Sequence, residues 1–445
     1  MSADLVVRAR RAVVDGAEAA CALVVQDGRT AAVTDLDAPV DARREVVLAD
    51  DEVLLPGLVD THVHVNEPGR TAWEGFSSAT RAAAAGGVTT LVDMPLNSIP
   101  PTTTVEALQV KRAAAEGQVH VDVGFWGGAV PGNADDLPPL HDAGVFGFKC
   151  FLADSGVAEF PPLSADGFRT ALARAAELGA LVVVHAEDAH ELEQAGAVAG
   201  PAYAGFLASR PPTAEQAALD RVVDVLREVG GRAHVLHLAS GAALPALRTA
   251  RAQGLALTVE TCPHYLVFAA EDVPDGGTDY KCCPPIREDA ERDRLWDGLG
   301  DGDVDLVVTD HSPCTPELKR LDTGDFGQAW GGIASLQVGL AAVWTEARLR
   351  GFGLADVVRW MSTAPADLVG LRAKGRLAVG ADADLCVLAP DERFVVDPAA
   401  LHHRNPVTPY AGRRLSGVVR STWLRGREVD LAGPPAGRLL RRTTP

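Results

Sequence analysis

Eight short apolar runs, separated by helix-like segments, recur through the middle of the chain and constrain its fold more than any other feature. Ala-rich amphipathic segments, such as GFRTALARAAELG, lie between the runs. Strand–helix alternation of this kind favours an α/β fold with a parallel sheet and crossover helices. The runs lie at residues 57–65, 87–95, 121–128, 144–152, 180–188, 233–240, 255–264 and 304–311. Eight strands within about 255 residues predict a (β/α)8 TIM barrel. A doubly wound open sheet is the alternative, although the glycine-rich phosphate fingerprint of that fold is missing.

The two ends of the chain look different from its middle, because both are rich in strand-like segments and turn signals. Neither end has enough apolar residues for a core of its own, so we predict a small composite β-domain formed from both chain ends. The predicted parts are 1–55 for the N-terminal portion, 56–370 for the barrel, and 371–445 for the C-terminal portion and tail. The final stretch, PPAGRLLRRTTP, is expected to be loose.

The net charge indicates which partners are excluded, and the cysteine content indicates the cellular compartment. The net charge is -19, which repels phosphate backbones and anionic lipid, so we expect no nucleic acid and no membrane as partner. The start of the chain has no apolar segment of signal-peptide length, and uncharged stretches are too short to span a bilayer. The seven cysteines show no framework spacing. These features predict reduced thiols in a cytoplasmic protein.

Side chains that bind metals stand at the carboxyl ends of the runs, where barrel enzymes carry their active sites. His62 and His64 in DTHVHV are two residues apart, so they share one face of a strand, either as metal ligands or as a hydrogen-bonded pair. His185 closes VVVHAED, His237 lies near the end of AHVLHLAS, and Asp310 closes VDLVVTDH. All of them should reach one rim, which favours a metal site there.

Lys149 stands in the middle of the apolar run GVFGFKCFL, in a chain that has only five lysines. Burying an ammonium group is costly. One explanation is that the stem packs in the barrel while the amine reaches the rim. The other is that the lysine has reacted with carbon dioxide to form a carbamate, whose two oxygens bridge two cations. The neighbouring histidines and Asp310 favour the carbamate.

Further motifs surround these residues and place them in a family. They are DTHVHVNEPGRTAWEGF (60–76), GFKCFL, ETCPHYL, KCCPPIR, VVTDHSPC and WGGIASLQ. Together they resemble the cyclic amidohydrolases, which include dihydroorotase, hydantoinase (dihydropyrimidinase) and allantoinase, over nearly the whole chain. The motifs favour the allantoinase branch. Asn66 stands where a dihydroorotase typically has an Arg that pairs with the substrate carboxylate, and a neutral amide suits an uncharged ring.

The resemblance implies a (β/α)8 barrel with a binuclear metal centre and a hydrolytic reaction. His62 and His64 would hold one metal ion, His185 and His237 would hold the other, and carbamylated Lys149 would bridge them. The implied cofactors are two divalent metal ions per chain, with zinc expected first and manganese, cobalt or iron as alternatives. The implied reaction is hydrolysis of the cyclic amide of allantoin to allantoate, in a homotetramer by family resemblance.

Asp310 would bind the first ion and also act as the proton shuttle, by the same resemblance. The flat, amide-rich ring would be held by loops at the same rim. The expected substrate contacts are Asn97, Cys283, Pro284, Ser312 and Trp330.

Two other functions stay open at this point. A hydantoinase or dihydropyrimidinase would perform the same chemistry on a related cyclic ureide, and a non-catalytic scaffold relative would usually have lost metal ligands. Three further histidines are predicted to lie outside the ligand set. His234 is expected to face the helix layer, His311 to alternate against Asp310, and His264 to lie in the core or behind the ligands.

Overall fold

The computed structural model describes residues 2–442 of the chain. The strands, numbered along the chain, are β1 (Leu5–Val14), β2 (Ala17–Gln26), β3 (Arg29–Thr34), β4 (Glu45–Val47), β5 (Val53–Pro56), β6 (Leu58–Val63), β7 (Val88–Asp93), β8 (Asp122–Phe125), β9 (Gly127–Gly128), β10 (Phe148–Phe151), β11 (Leu181–His185), β12 (Arg232–Val235), β13 (Ala256–Thr261), β14 (Leu306–Val307), β15 (Leu385–Val395), β16 (Arg414–Leu424) and β17 (Arg427–Glu428).

Helices follow most of the central strands. They are α1 (Phe76–Ala85), α2 (Val105–Ala115), α3 (Leu137–Asp142), α4 (Ala165–Glu177), α5 (Ala189–Ala195), α6 (Tyr203–Ala208), α7 (Pro212–Val229), α8 (Leu244–Ala252), α9 (Pro263–Val267), α10 (Asp289–Asp301), α11 (Pro316–Lys319), α12 (Gly339–Leu349), α13 (Leu354–Val358) and α14 (Ala364–Leu368). Within residues 2–442, none of them combines the length and apolar content needed to cross a bilayer.

The central strands form two parallel sheets in chain order. One contains β6, β7 and β8, and the other runs from β9 to β14. Each predicted apolar run contains one or two of these strands, so the prediction of parallel strands alternating with helices is confirmed. The strand order of a doubly wound sheet reverses at one point. Neither sheet does so here, and the doubly wound alternative is therefore excluded.

Hydrogen bonds connect the two parallel sheets at both margins. Only Trp126 separates β8 from β9, and its N–H donates to the carbonyl of Asp93 at 3.0 Å. On the other side the N–H of His64 donates to the carbonyl of His311 at 2.8 Å, and Val63 bridges His311 in parallel. The carboxyl ends of β6 and β14 therefore lie side by side.

The outer helices are held by one apolar face each. In α4 the buried residues Phe168, Ala171, Leu172 and Ala175 recur at the helical spacing, and the side chain of Ser164 caps the first turn by accepting from the N–H of Gly167. Burying a Leu or Phe side chain fully contributes about 1.5–3 kcal/mol. This apolar face therefore fixes α4 against the sheet.

Strands from both ends of the chain share a third sheet. Its order is β17-β16-β15-β5-β1-β2-β3, with β4 paired to β1. A buried charge cluster connects this sheet to β8, because Nζ of Lys374 lies 2.6 Å from carboxylates of both Asp122 and Asp384. Arg425 also contacts Asp122, at 2.8 Å.

The prediction that the C-terminal tail is loose is wrong up to residue 442. The N–H of Val123 donates to the carbonyl of Arg438 at 2.9 Å, and the N–H of Leu440 donates to the carbonyl of Val123 at 2.8 Å. β8 lies at the edge of its sheet, and its backbone groups need partners once they are buried. The tail supplies those partners. Residues 443–445 lie outside the described residues.

Candidate metal centre

Six side chains predicted as metal ligands lie together at the carboxyl ends of the parallel strands. His62 and His64 come at the end of β6, His185 closes β11, and His237 and Asp310 follow β12 and β14. Each is at most 7% exposed. The full set is His62, His64, Lys149, His185, His237 and Asp310.

The first half of the cluster is centred on the carboxylate of Asp310. Its Oδ1 lies 3.1 Å from Nε2 of His62 and 3.5 Å from Nε2 of His64. Burial alone would raise the pKa of Asp310, but the adjacent imidazoles of His62 and His64 hold it well below its usual range. Asp310 is therefore ionised and can bind a cation.

The second half is formed by His185 and His237, whose Nδ1 and Nε2 atoms lie 3.0 Å apart. Two ligands of one tetrahedral zinc ion lie about 3.3 Å apart, given bonds of about 2.0–2.1 Å. The spacing of these nitrogens, and of Asp310 from His62, therefore suits pairs of ligands that share a cation. His62, His237 and Asp310 also offer ligand atoms within 4.8 Å of one another. The donor set fits divalent metal ions.

Glu260, which is not among the residues predicted from the sequence, contacts both halves of the cluster. Its Oε1 lies 2.5 Å from Nδ1 of His62 and accepts the backbone N–H of His237 at 3.3 Å, while its Oε2 lies 3.0 Å from Nε2 of His234. Burial alone would raise the pKa of Glu260, but the imidazoles of His62 and His234 lower it to about 2. The ionised carboxylate keeps the proton of His62 on Nδ1, so Nε2 presents its lone pair to the cluster.

Glu187 orients His185 in the same way, and it too is not among the residues predicted from the sequence. Its Oε2 lies 2.8 Å from Nε2 of His185, and Arg210 donates to its Oε1 at 2.9 Å. Burial would raise the pKa of Glu187, but Arg210 and His185 hold it well below its usual range. The proton of His185 therefore stays on Nε2, and Nδ1 faces His237. The sequence does contain a signal for Glu187, because it is an acidic residue two positions after the strand-end histidine in the motif HAE (185–187).

The prediction that His234 faces the helix layer is wrong. Its ring is fully buried and lies between Thr258 and Glu260, on the side of the strand that carries the ligands. The cause is a backbone bend, because His237 has a φ of 39°. Strict alternation fails across that bend, so His234 and His237 both face the cluster.

Left-handed backbone conformations recur around the cluster. Asn66, Asn97, His237 and Asp310 all have positive φ, between 39° and 65°. Such conformations are costly for residues with a side chain and are kept where the surrounding structure holds them, commonly at functional sites. Two of these four residues are predicted ligands, and this strain aims their side chains into the cluster.

Lys149 differs from the other lysines in its surroundings. Lys111 and Lys374 pair with carboxylates, and Lys281 and Lys319 donate to backbone carbonyls. Among the described residues, the polar contact of the Lys149 amine is Nε2 of His62, at 3.4 Å. Burial lowers the pKa of Lys149 to about 8, against the opposing attraction of Asp310 and Glu260. A substantial fraction of this amine is neutral at pH 8, and the neutral form is the nucleophile that reacts with carbon dioxide.

A cavity of about 710 Å³ opens over the cluster. Asn97, Cys283, Ser312 and Trp330, all predicted as substrate contacts, lie on its wall. Pro284 lies behind the wall, where its carbonyl accepts the hydroxyl of Tyr265 at 2.7 Å.

Two further histidines lie beside the cluster. Nε2 of His311 lies 3.2 Å from Glu74, and its Nδ1 accepts the N–H of Ser335 at 3.1 Å. His264 is fully buried, and neither of its ring nitrogens has a hydrogen-bond partner among residues 2–442. Asn66 is also fully buried, and its amide donates to the carbonyl of Pro313 at 3.2 Å.

Comparisons with known proteins place this geometry in context. Residues 53–429 match the model of the amidohydrolase family. The chain is 57% identical over 442 residues to an allantoinase of Streptomyces avermitilis, covering 99% of each chain. It is 50% identical over 382 residues to the allantoinase of Saccharomyces cerevisiae, covering 84% of this chain and 82% of the relative. A solved L-hydantoinase (dihydropyrimidinase) from Arthrobacter aurescens superposes with a TM-score of 0.94 at 30% identity, over 99% of this chain and 100% of that one.

Proposed function

The chain belongs to the amidohydrolase family, and on that premise we propose that its metal centre opens the ring of allantoin. It catalyses the metal-dependent hydrolysis of the cyclic amide of allantoin to allantoate. The observation that carries this function is the identity of 57% to a protein named allantoinase over 99% of both chains. The buried cluster of histidines and Asp310 supplies the chemistry that such a hydrolysis needs.

Two divalent cations per chain would be held by the cluster. His62 and His64 would bind one with Asp310, and His185 and His237 would bind the other. Glu260 and Glu187 support this division, because each fixes the proton of one histidine on the nitrogen that faces away from the cluster. Imidazole and carboxylate ligands suit zinc, and also manganese, cobalt or iron.

Lys149 would bridge the two cations as a carbamate. The support is the burial of Lys149, which is 1% exposed and whose amine lies beside an imidazole, with no carboxylate or carbonyl in hydrogen-bond contact among the described residues. A bare ammonium between two cations would suffer both desolvation and like-charge repulsion. A carbamate reverses the sign of that charge and adds two oxygen ligands.

When bound, the ions supply a water of lowered pKa and a Lewis acid for the ring carbonyl. Asp310 accepts the proton of the attacking water and passes it to the ring nitrogen that leaves. The water oxygen bonds to the carbonyl carbon, the carbon–nitrogen bond breaks, and the nitrogen receives the proton. The hydroxyl of Ser312 lies 2.7 Å from the backbone carbonyl of Asp310 and 3.2 Å from its Oδ1, so it holds this residue in position.

The substrate would lie in the cavity over the cluster, held by Asn97, Cys283, Ser312 and Trp330 from its wall. The loop that carries Trp330 is kept in place by two lysines, of which Lys319 is buried. Lys281 donates to the carbonyl of Ala329 at 2.6 Å, and Lys319 donates to that of Trp330 at 3.2 Å. Pro284 would support the wall from behind, where its carbonyl accepts the hydroxyl of Tyr265 at 2.7 Å.

We also propose how the chain is organised around this site. The two parallel sheets would form one (β/α)8 barrel over residues 56–370, supported by the hydrogen bonds at both of their margins. Residues 1–55 and 371–445 would form the composite β-domain, supported by the shared third sheet.

The oligomeric state and the location are further proposals. The family resemblance favours a homotetramer, and the seven free thiols favour a cytoplasmic location. Light scattering on purified protein tests the tetramer.

A hydantoinase is the second candidate function, because the solved structure with a TM-score of 0.94 is an L-hydantoinase (dihydropyrimidinase). A non-catalytic scaffold is less well supported, since all six predicted ligands are present and buried together. Initial rates on allantoin, hydantoin, dihydrouracil and dihydroorotate separate the enzymes. We expect allantoin to be the best substrate. If the initial rate on hydantoin or dihydrouracil were higher than that on allantoin, the enzyme would instead be a hydantoinase or dihydropyrimidinase.

A further inference from the structure

Cys262, His264 and Asp310 form a second group of ligand-type side chains beside the proposed binuclear centre. They offer a thiol sulfur, an imidazole nitrogen and a carboxylate oxygen that lie within 4.8 Å of one another. Cys262 follows β13 directly and His264 lies in the first turn of α9. A single strand-to-helix connection therefore supplies two of the three side chains, and only Asp310 is shared with the proposed centre.

His264 is the unusual member of this group. Its side chain is fully buried, and neither Nδ1 nor Nε2 has a hydrogen-bond partner among residues 2–442. Buried polar groups in proteins are almost always paired, so a buried imidazole with two unpartnered nitrogens needs an explanation. Cys262 is also fully buried. A cation between them would give one ring nitrogen of His264 a partner.

Asp310 could bind such a cation through Oδ2. Its contacts with His62 and His64, and the hydroxyl of Ser312, all involve Oδ1. Oδ2 takes part in none of these contacts. Asp310 lines the cavity, whereas Cys262 and His264 lie behind its wall, so an ion from solvent would reach the group past Asp310.

We propose that Cys262, His264 and Oδ2 of Asp310 form a third cation site, which binds a soft or borderline ion such as Cd²⁺ or excess Zn²⁺. Thiolate and imidazole ligands select such ions, whereas Mg²⁺ and Ca²⁺ require oxygen ligands throughout. On binding, the sulfur exchanges its proton for the cation, and the released proton leaves to solvent.

Occupancy of this site inhibits hydrolysis. A carboxylate that binds cations through both oxygens is a weaker base, so it accepts the proton of the attacking water less readily. This consequence rests on the proposed role of Asp310 in the reaction. The binding of the third ion does not, because it depends only on the three side chains.

The test uses the enzyme with its resident zinc in place. Zinc content and the allantoin rate are measured first, so that a failure of the proposed function is seen before cadmium is added. Equilibrium dialysis against Cd²⁺ should then show one additional ion per chain without release of zinc. Near-ultraviolet thiolate-to-cadmium absorption should appear, and the allantoin rate should fall at least tenfold. Uptake of cadmium with an equal release of zinc would overturn the proposal.

Variants identify the ligands. Cys262→Ser and His264→Gln should each lose the additional cadmium ion, and the absorption band should disappear in Cys262→Ser. Cys283→Ser is the matched control, because its thiol lies on the wall of the same cavity, and it should keep both signals. Loss of the ion in Cys283→Ser, or its retention in Cys262→Ser, would overturn the assignment. His264→Gln decides the question if Cys262→Ser does not fold.

Discussion

Replacing Glu260 with Gln tests whether a buried carboxylate sets the affinity of the metal centre. The Gln side chain has the same shape but no charge. Its oxygen can still accept from Nδ1 of His62 and from the backbone N–H of His237, which both contact Oε1. Its NH2 group then faces Nε2 of His234, which must move its proton to Nδ1, toward the hydroxyl of Thr258. Because a hydroxyl can accept as well as donate, the fold should survive.

The expected magnitude follows from the bond to His62. A hydrogen bond to a charged group contributes about 1.5–3 kcal/mol, against about 0.5–1.5 kcal/mol for a neutral one. The change therefore weakens the ligand by roughly 1–1.5 kcal/mol, which is about 5- to 13-fold in affinity for the ion that His62 holds. Mutation of a carboxylate that hydrogen-bonds a metal-binding histidine commonly lowers the metal affinity by about 10–100-fold. We expect a loss near ten-fold for one ion of the two.

The assay is competition with a chromophoric chelator, together with kcat and KM for allantoin and the midpoint of urea unfolding. Glu291→Gln is the control. Its carboxylate is also buried, but it accepts the N–H of Ala242 at 3.0 Å and contacts no ligand. Glu260→Gln should release one ion about ten-fold more readily while its unfolding midpoint stays close to that of the control. Unchanged release of both ions would refute the idea that Glu260 positions His62.

Three further changes test the ligands. Lys149→Ala should leave both ions weakly held and the enzyme nearly inactive, and added short-chain carboxylic acids should restore part of the rate; full metal content in this variant would contradict a bridging role. His185→Ala should lower metal content to about one ion per chain, whereas a purely structural histidine would change only the melting temperature. Asp310→Asn should keep most of its metal, measured by elemental analysis, yet lose kcat at least 100-fold, because an amide cannot carry the proton; a rate near that of the unaltered enzyme would remove Asp310 from proton transfer.

The strand-end residues could be predicted from the sequence because two regular features coincide. Parallel strands end at one rim, and a polar residue that closes an apolar run is conspicuous there. His185 and Asp310 are predicted on this ground, and Lys149 is predicted because it is a charge within an apolar run. The order of the parallel strands followed from the same alternation.

Other features depended on backbone geometry that residue spacing does not reveal. Alternation placed His234 on the wrong face, because the left-handed residue His237 breaks the period between them. In the sequence, Glu260 is indistinguishable from an ordinary strand residue. Its role follows from its contacts with His62 and His234, which lie on other strands. The ordered tail could not be predicted either, since its partner, Val123 on β8, is distant in sequence and was not expected to lie at a sheet edge.

Metal reconstitution measured together with allantoin turnover tests the central claim most directly. Protein stripped of metal by a chelator should be inactive. Addition of zinc in the presence of bicarbonate should restore allantoate formation in proportion to bound metal, reaching a plateau at two ions per chain, with a carbamate at Lys149 visible in a high-resolution structure of the same sample. Full turnover without metal, or a bare amine at Lys149 with both ions bound, would contradict the account.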